Sequence, residues 1–213
     1  CLLEDYSDSG KIKRREHYSD GKLDGKTELY DMGGILLKEV EYKNGIKDGT
    51  IKEYHYNGQL KYSGAQKNGK LDGIAQSYYE DGQLESERKF IDGKQDGTFK
   101  EYYSENKQLR SEIIYTKGNL NGTSKEYYQN GQLKSSVDYV DGKMNGSVKH
   151  FFENGQLSRQ EKAKDGNIIG VVKRNSRLDN DIWKDWVFQG NYSITVTSRK
   201  FLYVITQQNY MKG

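Results

Sequence analysis

From Gly122 to Gly146 the chain reads GTSKEYYQNGQLKSSVDYVDGKMNG. Three Asx-Gly pairs, Asn130-Gly131, Asp141-Gly142 and Asn145-Gly146, punctuate this stretch and leave two short runs between them. Asx-Gly beside alternating apolar and polar residues is the strongest short-range hairpin signal, because both central residues of a type I′ turn need positive φ. The longer run alternates with period two. Leu133, Ser135, Val137 and Tyr139 are read as pointing to one side, and Lys134, Ser136 and Asp138 to the other. One hairpin of this size is marginal alone and needs neighbours to cover its face.

The neighbours are copies of itself. Equivalent closing glycines stand at Gly25, Gly49, Gly73, Gly97, Gly122, Gly146 and Gly170, at intervals of 24, 24, 24, 25, 24 and 24 residues. The extra residue falls in the turn around Glu105 to Lys107. A half unit, Gly10 to Gly25, precedes the first full one. The first strand of each unit carries an aromatic at a fixed place (Tyr30, Tyr54, Tyr78, Tyr102, Tyr127, Phe151), and the second opens with a leucine (Leu36, Leu60, Leu84, Leu109, Leu133, Leu157). The second strand closes with Tyr18, Tyr42, Phe90, Tyr115 and Tyr139, a column broken by Gln66 and Ala163.

Composition agrees with that reading. There is no proline and there are 24 glycines, sixteen of them after Asp or Asn. Every residue keeps a backbone N–H to donate to a ladder. Leu, Ile, Val and Phe make up 43 of 213 residues, a thin apolar supply, and 18 tyrosines add to it. No window shows helical periodicity. The expected fold is all-β: an elongated antiparallel β-meander of stacked hairpin repeats, about 65 Å long at about 4.8 Å per strand. The expected organisation is an N-terminal tether at 1–9, the repeat array at 10–170 and a small C-terminal β-rich cap at 171–213. The cap carries both tryptophans, Trp183 and Trp186, as a candidate ligand or partner site.

The fragments KEYYQNGQLKSSVDYVDGKMNG, QSYYEDGQLESERKFIDGKQDG and KEYHYNGQLKYSGAQKNGKLDG resemble the MORN-variant repeat (membrane occupation and recognition nexus), of the type found in bacterial YwqK-like antitoxin proteins. The resemblance covers Gly10 to Gly170. It implies twisted or curved antiparallel sheets that act as interaction platforms, and it brings no catalytic motif.

Several function classes find no footing. A net charge of +3 and no run of five basic residues argue against nucleic acid. No GxSxG elbow, P-loop or dinucleotide-binding glycine motif is present. The three histidines, His17, His55 and His150, occupy different places in the repeat, so no metal or cofactor is expected and the chain is read as no enzyme. Paired acidic turns such as DGKLDG (Asp20 to Gly25) suggest calcium, but neither an EF-hand nor an RTX pattern accompanies them, and turn chemistry explains them.

Two features remain as candidates. The single cysteine is Cys1, where mature bacterial lipoproteins carry their lipid; a fragment boundary is the alternative. The second aromatic of each pair, at Tyr79, Tyr103, Tyr128 and Phe152, is expected on the face opposite the first, as a candidate recognition stripe. The resulting expectation is a protein-binding platform tethered by lipid at the bacterial cell envelope or surface. A cytoplasmic antitoxin or immunity protein and a surface carbohydrate-binding module are the alternatives.

Overall fold

The computed structural model describes residues 1–178 and the strands Ile182–Gln189, Ser193–Ser198 and Leu202–Thr206, with side chains through residue 173. It divides into two compact units, Cys1–Asn119 and Leu120–Gly213. The described regular structure is β-strand throughout, each strand antiparallel to the next.

In the first unit, paired strands follow one another from Leu2–Tyr6 with Ile12–Ser19 to Gly97–Tyr102 with Leu109–Thr116. Residues 1–9, expected as a tether, are the opening strand and turn of one more repeat. Tyr6 pairs with Ile12 as Tyr30 pairs with Leu36, and the Ser7 N–H closes the turn on the Lys11 carbonyl at 2.7 Å. Residues 1–9 therefore lie in the register of the repeats, with Cys1 at the place of the closing glycine. In the second unit the meander runs from Gly122–Tyr127 through Leu133–Val140, Lys143–Phe151 and Leu157–Lys164. A longer strand, Asn167–Leu178, follows; Val171, where the cap was expected to begin, lies inside it. Ile182–Gln189, Ser193–Ser198 and Leu202–Thr206 continue the antiparallel order.

The three Asx-Gly sets do three different jobs. Pairs such as Asn44-Gly45, with φ of 52° and 83°, are type I′ turns, and Asp20, Asn68, Asp92, Lys117, Asp141 and Asp165 repeat that geometry with the glycine that follows each. At Asn57-Gly58 only the glycine has positive φ, and the Asn57 side-chain oxygen accepts the Gln59 N–H at 3.0 Å. The closing pairs are bulges. Between Val137↔Val148 and Tyr139↔Met144 one residue faces three, and Gly146 absorbs the excess at φ 128°. A Cβ there would lie 2.8 Å from that of Asp138.

A second bulge changes the faces. Glu126 pairs with Ser135 but Tyr127 pairs with Leu133, which leaves Lys134 as the extra residue. Directly opposed residues share a face. Leu133 therefore joins Tyr127, not Ser135, Val137 and Tyr139 as strict alternation suggests. The same slip occurs at Tyr54↔Leu60 and Tyr78↔Leu84. The sheet thus has two apolar rows on opposite faces. One holds the first aromatics with the leucines. The other carries the buried centre: Thr27, Val40, Ile51, Ala75 and Phe99 in the first unit, and Val148 and Glu161 in the second. No large side chain of the described residues is fully buried. Cohesion comes from many half-covered contacts, each apolar side chain contributing at most about 1.5–3 kcal/mol.

Candidate interaction surface

The leucine face of the first unit is a polar network framed by tyrosines. The opposed residues Arg15, Glu28, Glu39 and Lys52 form its middle row. Tyr30 donates to Glu28 at 2.9 Å and Tyr54 to Glu39 at 2.6 Å, while Lys26 bonds Glu39 at 2.8 Å. Burial, reinforced by the bond to Glu39, pushes the Tyr54 phenol up to about 12. Burial works against ionisation of Glu39, but the Lys26 and Tyr54 hydrogen bonds outweigh it and hold its carboxyl below the usual range. These tyrosine hydroxyls are committed to the sheet itself.

Along the turns, hydrogen bonds pass from one repeat to the next. The Tyr79 hydroxyl donates to the Tyr102 carbonyl and that of Tyr128 to the Phe151 carbonyl, both at 2.8 Å. His55 Nε2 takes the same place against the Tyr78 carbonyl at 2.8 Å. Asn57 Nδ2 reaches the Glu80 carbonyl at 2.7 Å, and Asn130 reaches Glu153 at 2.9 Å. On the opposite margin, Asp24, Asp48, Asp72 and Asp96 accept the backbone N–H of Asn44, Asn68, Asp92 and Lys117 at 3.0–3.1 Å. The acidic turns are thus staples between repeats.

This recasts the expected recognition stripe. Tyr79, Tyr103, Tyr128 and Phe152 are half-buried at the turns. Their backbone N–H groups close those turns on Gln83, Gln108, Gln132 and Gln156. What Tyr79 and Tyr128 offer a ligand is ring surface rather than hydroxyl. Sequence spacing signals the column; the staple needs contact between residues 23 apart. Cys1 is exposed with a free thiol, and its carbonyl accepts the Tyr18 N–H at 2.8 Å. Trp183 and Trp186 lie on the strand Ile182–Gln189, opposite Arg177 and Arg174 in register; their side chains lie outside the described residues. His17 Nδ1 meets the Lys26 carbonyl at 2.8 Å, so His17 and His55 serve backbone groups. Among the described residues no group of three His, Cys, Asp or Glu is placed to hold a metal ion, and no helix is long and apolar enough to cross a membrane.

Two open grooves lie between successive repeats of the first unit, in equivalent places. One, of about 520 Å³, is lined by Asp5, Lys13, Arg14, Leu29, Tyr30, Asp31 and Met32. Its two acids balance its two bases, and Met32, 89% exposed, makes it apolar. The other, of about 360 Å³, is lined by Glu53, His55, Lys61, Tyr62, Ser77, Tyr78, Tyr79, Glu80 and Glu85. It is acidic, with three glutamates against one lysine. Burial raises the Tyr62 phenol, with Glu53 adding to it, and raises that of Tyr79, with Glu85 adding. The frame is constant between the two grooves and the lining is not.

A regular antiparallel frame with variable linings defines a β-repeat protein. The family model of the MORN repeat variant matches residues 47–70, 71–92, 120–141 and 144–165, and the chain is a MORN-variant repeat protein. Among the unmatched stretches, the repeat from Gly97 contains the 25-residue spacing, where Lys107 at φ 61° replaces the turn glycine. No curated protein matches the chain. Among solved structures, a chain of "Crystal Structure of TcdB2-TccC3-Cdc42" aligns with 98% of this chain at 11% identity and a TM-score of 0.24. The alignment spans 13% of that chain's length.

Proposed function

We propose that this protein is a non-enzymatic platform that binds another protein along its turn-side grooves, held at the bacterial envelope by lipid on Cys1. The observation that carries the binding reading is the contrast between frame and lining. Turns, bulges and staples recur from repeat to repeat, while the groove residues change from Leu29 and Met32 to Tyr62, Glu80 and Glu85. A stacked array needs the first set for its own cohesion and has no structural use for variation in the second. The tether reading draws on the exposed thiol of Cys1. With Leu2–Tyr6 already in the sheet, such an anchor would have no spacer and would hold the first strand against the bilayer surface.

The test is expression behind the natural upstream sequence in a bacterial host, followed by fractionation and mass measurement of the N-terminal peptide. The expected result is an acylated Cys1 in the membrane fraction, released by Cys1→Ser. A soluble, unacylated chain rejects the tether and leaves the cytoplasmic antitoxin or immunity reading, which shares the protein-binding step. Partner binding is tested by site-directed crosslinking from Glu85 and Met32. A specific crosslinked protein at those positions, absent from the strand-centre position Lys52, is the expected outcome.

A further inference from the structure

We propose that the unit Cys1–Asn119 takes an extended, polyproline-II-like peptide segment of its partner, laid across the strands. An apolar side chain sits in the groove at Leu29 and Met32, and a basic one sits six residues away in the groove at Glu80 and Glu85. The proposal rests on the protein-platform reading and names the ligand conformation that would fit it.

The geometry comes from the staples. Asn57 Nδ2 lies 2.7 Å from the Glu80 carbonyl oxygen. Given the reach of an asparagine side chain and a carbonyl, this holds the tips of adjacent turns within about 9 Å. Two strand spacings give about 9.6 Å for the same step. A polyproline-II chain rises about 3.1 Å per residue with three residues per turn, so it presents the same side every 9.3 Å or so. One repeat of the protein therefore matches one turn of such a peptide. The two grooves are two repeats apart, about 19 Å, which is six residues of that helix. An α-helix repeats every 5.4 Å and a β-strand turns its third residue to the opposite side, so neither keeps the one-repeat step of about 9.6 Å.

Chemistry chooses the side chains. In the first groove Leu29 and Met32 are exposed and the charges balance, which favours an aliphatic residue. In the second, Tyr62 and Tyr79 stand beside Glu80 and Glu85, which suits an arginine or lysine both by charge and by contact with aromatic rings. The peptide backbone also fits. Polyproline II leaves its N–H and C=O groups to water, and the carbonyls of Tyr78, Glu80 and Tyr102 already accept staple bonds.

The test uses the full chain and labelled proline-rich peptides carrying one leucine and one arginine, in both orders, at separations of five, six and seven residues. Binding is read by fluorescence anisotropy. A six-residue peptide is expected to bind about tenfold more tightly than its neighbours, since a one-residue slip turns the second side chain by about 120°. Glu80→Gln with Glu85→Gln, both on exposed side chains, is expected to weaken that peptide by about threefold to fivefold. The same double change should leave the glutamine-for-arginine peptide unchanged, and circular dichroism checks that the fold is kept. Equal binding at all three separations, or none at about 1 mM peptide, overturns the proposal. If a crosslinked protein partner binds the wild-type and doubly changed chains alike, the peptide geometry fails and the platform reading survives. If no specific partner is found for either chain, the platform reading fails as well.

Discussion

In the unit Cys1–Asn119 the central row passes from Glu16 and Thr27 through Val40 and Ile51 to Ala75 and Phe99. In the unit Leu120–Gly213 the same row runs from Ser124 through Val137 and Val148 to the buried Glu161. Turns and bulges are alike in the two, so the contrast isolates what side chains contribute on a fixed frame. Both rows hold a buried carboxylate, Glu16 beside Thr27 in the first and Glu161 beside Val148 in the second, and the first adds the Phe99 ring, with Arg88 4.4 Å from its centroid. In the second, Ser124 stands at the repeat position that Phe99 holds in the first. Charge diverges too: 20 basic residues face 22 acidic ones in the first unit, against 14 and 9 in the second, which together give the net +3.

The comparison is broken most forcefully at Phe99. Phe99→Ala removes the largest side chain of the row and the surface under Arg88, and should cost about 3 kcal/mol in urea unfolding. A cost below about 1 kcal/mol would mean that the row does not hold the unit together. Next comes Arg159→Ala, which leaves Glu161, 4% exposed, without its ion-pair partner. The expected loss is about 2 kcal/mol, below the full penalty for a buried pair because Arg159 is partly exposed. Arg14→Ala, at the matching place beside Glu16, should cost less, about 0.5 kcal/mol. There the Tyr18 hydroxyl still donates to Glu16 at 2.9 Å, and Arg14 is 45% exposed. Parallel midpoint shifts for the two arginines would erase the distinction.

Ser124→Val sharpens the contrast in the other direction. The Ser124 hydroxyl is buried with no hydrogen-bond partner, beside Val137 in the row that continues to Val148. Valine should raise stability by about 1 kcal/mol, read as a higher urea midpoint. The smallest effect concerns pH. Because the folded-state pKa of Tyr54 is raised, its contribution is complete below the unfolded value near 10 and is lost as pH rises through about 12. The loss should be about 1 kcal/mol, and Tyr54→Phe should remove it; an unchanged slope in that variant would reject the assignment.

Much of this frame is legible in the sequence. The 24-residue step, the strands and the type I′ turns follow from Asx-Gly chemistry and alternation, which are local. The misread parts are those where one residue more or less changes the partner. Lys134 looks like one more residue of an alternating strand, and only pairing shows it to be the extra residue of a bulge. Asn145-Gly146 has the same letters as a hairpin turn and is a bulge, because its neighbours Met144 and Val148 are already paired across the strand. Residues 1–9 lack the NGQL signature, so they read as a tether, although Tyr6 and Ile12 occupy the repeat's register. The grooves were not legible at all. They join residues such as Tyr62 and Glu80 that only neighbouring repeats bring together.

The sequence by itself determined that this is an antiparallel repeat protein with a fixed step, because turn residues and period-two patterning act within a few positions of the chain. The tertiary structure alone decided which residues share a face, which aromatics staple the repeats and where grooves open. Each of these depends on register between strands, and a single bulge moves every later side chain to the other side of the sheet.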